Sequence, residues 1–96
     1  MMVLLTYDVD FTQPKGAGRL WKVAKLCERY GIRVQNSVFE MLLDPAQLIQ
    51  VKAAVTEIID PKLDSVRIYH LGKKWESKVE TIGLQKGIQQ GESLIL

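Results

Sequence analysis

The apolar residues from Met2 to Val9 fall on both sides of a strand. Val3, Leu5 and Tyr7 face one way, and Met2, Leu4, Thr6 and Asp8 face the other. Both sides stay apolar until the strand ends. Phe11 to Gly18, with Pro14, Gly16 and Gly18, reads as a loop. From Arg19 to Tyr30 the period changes: Leu20, Val23, Ala24 and Cys27 recur at helical spacing, and Gly31 follows as the expected C-cap. Ile32 to Leu43 is rich in β-formers but too long for one average strand. Asn36-Ser37 breaks it either as a tight turn or as a bulge. Asp44-Pro45-Ala46-Gln47 opens a second helix: Asp44 caps, Pro45 takes the first helical position and Gln47 reaches back. Leu48, Val51, Val55 and Ile58 form its apolar face, and Asp60-Pro61 ends it. Val66 and Ile68, alternating with Arg67 and Tyr69, predict one more strand.

The element order is β-α-β-β-α-β, an α+β, ferredoxin-like split βαβ fold over residues 1–72. Right-handed crossovers place both helices on one face of the sheet. The other face then lacks cover from within the domain, which predicts a face-to-face homodimer. Residues 73–96 form a C-terminal extension. Trp75 and Val79 alternate with Glu76, Lys78 and Glu80, as on an edge strand. Gly83 to Gly91 reads as a connector, and Leu94-Ile95-Leu96 is an apolar end in need of a partner.

Ninety-six residues suit one domain, and the composition is that of an ordinary soluble protein. Met1 to Leu5 is interrupted by Thr6, Asp8 and Asp10 well before signal or membrane-spanning length. A single cysteine, Cys27, cannot form an internal disulfide, and a reducing cytoplasm fits best. The net charge of +2 conceals an asymmetry. Between Lys15 and Arg33 lie six basic residues (Lys15, Arg19, Lys22, Lys25, Arg29 and Arg33) against one acid, Glu28. That stretch is either a solvated helix face or an anion-binding surface, and its shortage of acids favours the anion.

Residues able to carry chemistry are few. Asp8 ends a strand, where a carboxylate reaches a ligand or merely shapes a turn. Asp10 is a solvated loop acid. His70 reads as an edge histidine, and Cys27, on a buried stripe, as an inert thiol. Ser37 has no evident base.

Tyr7-Asp8-Val9, Gly18-Arg19 leading into Lys22-Val23-Ala24-Lys25, Arg33-Val34-Gln35-Asn36-Ser37-Val38-Phe39-Glu40 and Asp64-Ser65-Val66-Arg67-Ile68-Tyr69 together resemble the second universal CRISPR-associated protein family, Cas two. The resemblance runs to about Leu71 and points most closely to members from type I-C systems. It implies a role in spacer acquisition and metal-dependent nuclease activity. In this reading Asp8 is both the catalytic and the Mg²⁺-binding residue, two copies being paired across a dimer axis, with Tyr7, Ser37 and Phe39 in support. Lys15, Arg19, Lys22 and Arg33 are the expected nucleic-acid contacts. The implied partners are a second copy, the CRISPR-associated integrase, and duplex DNA or RNA. A non-catalytic bridge between integrase dimers and duplex DNA is the alternative role. Outside the family, a ferredoxin-like regulatory domain that binds a small ligand is a third. The chain departs from the pattern where Leu20 and Trp21 replace arginines common in relatives, and where Asn36 replaces a frequent aromatic.

Overall fold

The computed structural model describes residues 1–88. The elements are β1 (Met2–Asp8), α1 (Gly16–Tyr30), β2 (Ile32–Gln35), β3 (Val38–Leu42), α2 (Pro45–Ile58) and β4 (Ser65–Gly72), followed by a 3₁₀ turn at Glu76–Lys78. The sheet runs β2-β3-β1-β4, antiparallel throughout, with β1 central between β3 and β4. This is the expected ferredoxin-like α+β arrangement.

The core lies between the sheet and the helices. Val3, Leu5, Tyr7 and Val9 from β1 and its exit meet Phe39, Met41 and Leu43, beneath Val23, Leu26 and Cys27 of α1 and Val51 and Val55 of α2. Leu26 belongs to this buried stripe although the periodicity favoured Ala24, which is only half-buried. Burial pushes the Cys27 thiol up to about 12, which keeps it an unreactive core residue.

Two local expectations change and one open alternative is decided. First, α1 begins at Gly16, three residues before Arg19. Lys15 supplies the turn with a left-handed φ of 72°, and the Gly16 N–H donates to the Gln13 carbonyl. A Cβ on Gly16 would sit 2.3 Å from the Asp10 carbonyl oxygen, so close packing of backbones demands glycine there. Second, Asn36-Ser37 is a turn joining β2 to β3, and the β2–β3 register also shifts between Arg33 and Gln35. Neither turn residue has positive φ, so the pairing absorbs the mismatch in the strand itself. Third, Trp75 to Glu80 forms no strand. Trp75 is buried and precedes the 3₁₀ turn, where the Lys78 N–H donates to the Trp75 carbonyl. Leu94-Ile95-Leu96 lies outside the described residues.

The α2 start matches expectation. The Asp44 carboxylate accepts from the Gln47 N–H at 2.7 Å, and the Gln47 side chain accepts from the Asp44 N–H at 3.0 Å. Gly31 ends α1 with an extended backbone. Its reason for being glycine is contact: a Cβ would meet the Glu40 carbonyl oxygen at 2.3 Å.

The sheet face away from the helices carries Met2, Leu4, Thr6 and Asp8 from β1, with Val38, Glu40 and Leu42 opposite on β3 and Arg67 and Tyr69 on β4. It is less bare than the sequence suggested. Residues 79–87 fold back to form a cleft with Val34, Gln35 and Glu40. Glu40 is buried there, and its Oε1 accepts from the Ile88 N–H at 2.9 Å. Leu42 and Tyr69 remain exposed.

Candidate active site and nucleic-acid interface

Strand alternation decides how the residues of the β1 end divide. Tyr7 turns into the core and Asp8, the next residue, turns to the open face and to solvent. The Asp8 carboxylate has no hydrogen bond or ion pair among the described residues, and its backbone partner on β4 is Ser65. A strand end with a free, exposed carboxylate can take a cation from solvent. No group of three or more His, Cys, Asp or Glu side chains among the described residues is arranged around a metal.

The residues on the other side of the same strand end form a tight cluster. The Tyr7 and Phe39 rings stack with centroids 6.2 Å apart, and the Arg33 guanidinium lies 5.1 Å from the Phe39 centroid. Arg33 reaches this position because β2 is an edge strand whose Arg33 pairs directly with Phe39. Glu28 on α1 stands 3.7 Å from its Nη2. The Tyr7 hydroxyl donates to the Asn36 carbonyl at a long 3.4 Å, while the Tyr7 N–H donates to the Ser37 carbonyl. Burial raises the Tyr7 pKa against the opposing pull of Arg33, so the hydroxyl stays protonated and able to donate. Tyr7, Ser37 and Phe39, expected in support of Asp8, are thus neighbours of Arg33, expected as a nucleic-acid contact.

Arg19 is placed differently. Its Nε donates to Asp64 Oδ2 at 2.7 Å, and its Nη2 to Asp64 Oδ1 at 3.3 Å and to the Asp10 carbonyl at 3.2 Å. The Asp64 side chain is fully buried and also accepts from the N–H groups of Asp10 and Asp60. The Arg19 hydrogen bonds hold the Asp64 carboxyl below the usual carboxylate range. Arg19 thereby clamps the loop after β1 to the turn before β4, and two of its three nitrogens are committed to internal acceptors. Asp64 was legible only as part of a motif, because nothing in a sequence pairs residues 45 apart. Asp10 caps its own turn, accepting from Thr12; these hydrogen bonds lower its pKa.

Lys15 is exposed at the entry to α1. Lys22 is exposed two turns further on and opens, with Lys25 and Arg29, onto a groove between α1 and α2 floored by Leu26, Ala54 and Ile58. Trp21 borders both this groove and the cleft beside Arg33. The basic residues therefore form two groups flanking Trp21, with Asp8 around the strand end from Arg33. No helix among the described residues is long and apolar enough to cross a membrane.

The same architecture occurs in proteins of known family. The crystal structure of Streptococcus pyogenes Cas2 at pH 6.5 superposes with a TM-score of 0.76, at 57% identity over 86% of this chain and all of that one. A protein named CRISPR-associated endoribonuclease Cas2 3 from Rhodospirillum rubrum is 48% identical over 99% of this chain and all of its own length. One named CRISPR-associated endonuclease Cas2 from Halalkalibacterium halodurans is 50% identical over 99% of both. Residues 1–79 match the family described as CRISPR associated protein Cas2. Sequence and fold agree over nearly the whole length, and the chain belongs to the CRISPR-associated Cas2 family.

Proposed function

We propose that the protein acts in CRISPR adaptation as a dimeric, nucleic-acid-binding phosphodiesterase whose site is two Asp8 carboxylates brought together across a two-fold axis. The observation that carries this reading is the placement of Asp8: exposed, unpaired among the described residues, at the end of the central strand and on the face that a second copy would cover. Relatives named as endonuclease and endoribonuclease support the reaction class.

The donor set fits Mg²⁺ best in a dimer. Magnesium takes one or two carboxylates, waters and phosphate oxygens, and two Asp8 side chains provide the carboxylates. When bound, the ion would lower the pKa of a water and polarise the phosphoryl group. This chain's own part is to hold a free carboxylate at a fixed strand end and to draw the phosphate backbone in with Lys15, Lys22 and Arg33. Backbone contacts of that kind bind without reading sequence. Arg19 serves the site indirectly, by fixing the loop that follows Asp8. A partner integrase, the family's CRISPR-associated protein one, would use the same duplex.

The second reading, a bridge that holds duplex DNA for the integrase without cleaving it, rests on the sparseness of the site: no cluster of three or more His, Cys, Asp or Glu side chains gathers around Asp8 among the described residues. Asp8→Asn separates the two. The variant keeps the shape and loses the ligand charge, so folding survives. Metal-dependent cleavage by purified protein is expected to fall at least about 100-fold, the scale of losing a key charge-stabilising group. Undiminished cleavage would reject Asp8 as the metal-binding carboxylate. Loss of cleavage with normal spacer acquisition in cells would favour the bridge.

A further inference from the structure

Beside the β2–β3 turn, on the helix side of the sheet, lies a cleft of about 480 Å³. Its walls are Ala17, Leu20 and Trp21 of α1 on one side and Tyr7, Arg33 and Ser37 on the other. Small-ligand sites typically span roughly 300–1,000 Å³, and the volume of this open cleft falls within that range. Trp21 is 62% exposed, unusual for so large an apolar ring, and has the Lys25 ammonium 5.8 Å from its centroid. Tyr7 is 6% exposed, yet it lines the cleft, and its hydroxyl makes a long 3.4 Å bond to the Asn36 carbonyl with the Arg33 and Ser37 side chains close by. The Arg33 guanidinium stands at the rim, its ion pair with Glu28 a loose 3.7 Å.

An aromatic platform, a phenolic donor and a guanidinium within one cleft match a nucleobase with its phosphate. We propose that this cleft receives one unpaired nucleobase from the end of a nucleic-acid strand: Trp21 stacks on it, Tyr7 donates to an acceptor on its edge, and Arg33 pairs with the adjoining phosphate. A base within a duplex is stacked on both faces and cannot enter between α1 and the turn; a frayed or overhanging base can. Because Tyr7 and Asp8 are consecutive and face opposite ways, a strand held in the cleft leads its next phosphates around the β1 end toward Asp8. The cleft is on the helix side, so a dimer through the open sheet face leaves it accessible. The inference rests on the nucleic-acid reading above and adds its substrate form.

The test is the affinity of the full chain for three labelled DNAs: a blunt duplex, the same duplex with a short unpaired overhang, and that overhang made abasic. Stacking of a single base changes affinity by roughly 5- to 150-fold, so the base-bearing overhang is expected to bind tighter than the abasic one within that range. It should also quench tryptophan emission. Trp21→Ala, at an exposed position, should abolish both the preference and the quenching while leaving the blunt and abasic affinities unchanged. Ala17→Phe, which fills the cleft with Trp21 still present, should also abolish the preference. Equal affinity for base-bearing and abasic overhangs, or a Trp21→Ala loss shared by all three DNAs, would overturn the base cleft alone. Failure to bind any of them would remove the nucleic-acid reading itself. Equal quenching by a free nucleoside monophosphate would reassign the cleft to free nucleotides and overturn the strand-end proposal.

Discussion

Arg19 shows how a residue with an obvious charge can have a less obvious task. By pattern it is one of six cations on a basic stretch; in the fold it is half of a buried pair with Asp64. The Asp64 carboxylate accepts from the Arg19 side chain and from two backbone N–H groups, those of Asp10 and Asp60. Removing it leaves those donors without partners, and each unsatisfied buried donor costs about 1–3 kcal/mol, so Asp64→Ala should cost at least about 2 kcal/mol. The pH dependence has a definite sign. The folded pKa of Asp64 is depressed, first by the Arg19 hydrogen bond, so its stabilisation is fully present above the unfolded value of about 3.9 and is lost as pH falls through the lower folded value. In urea unfolding, the gap between wild type and Asp64→Asn should therefore be largest near neutrality and close below about pH 4. A gap independent of pH would mean that Asp64 does not carry a folded-state charge.

At the scale of elements, two glycines near the start of α1 make opposite demands. Gly16 touches the backbone of Asp10 and Phe11, and its Cβ would lie 2.5 Å from the Phe11 Cα. Gly16→Ala should lose about 1–3 kcal/mol, the usual cost of forced overpacking. Gly18 has open space where a Cβ would be and an ordinary helical backbone. Gly18→Ala should gain about 0.5–1 kcal/mol by reducing the freedom of the unfolded chain. Thermal unfolding of both variants checks this, and the argument fails if they move the midpoint in the same direction. The sequence read both glycines as loop residues, because composition cannot distinguish a flexible glycine from one pressed against backbone. Elements with local causes were legible. The Asp44–Gln47 capping box, the apolar face of α2 and the strand parity of Asp8 each depend on residues a few positions apart. What was missed depended on distance along the chain. The Arg19–Asp64 clamp, the burial of Glu40 under residues 87 and 88, and the partnering of Arg33 with Phe39 and Tyr7 appear only when strands pair.

For the whole molecule, the question is what covers the open sheet face. Residues 79–87 occupy its β2–β3 side against Val34, Gln35 and Glu40, while the β1–β4 side keeps Tyr69 at 42% exposure, flanked by Arg67. Tyr69 pairs with Leu4 near the middle of β1, on the same face as Asp8. A second copy seated there would bring the two Asp8 carboxylates toward one axis, and a specific dimer should bury at least ~1,000 Å² in total. Tyr69→Glu places a charge at the centre of that contact without disturbing the helix-side core, so the monomer should still fold. Light scattering should report a dimer for the wild type and a monomer for the variant. Because the proposed site needs one Asp8 from each chain, metal-dependent cleavage should fall with dimerisation although Asp8 itself is intact. Mixing Tyr69→Glu with Asp8→Asn protein should not restore it. A wild type that is monomeric at micromolar concentration would end the paired-carboxylate reading. A variant that stays dimeric and fully active would move the interface to another surface.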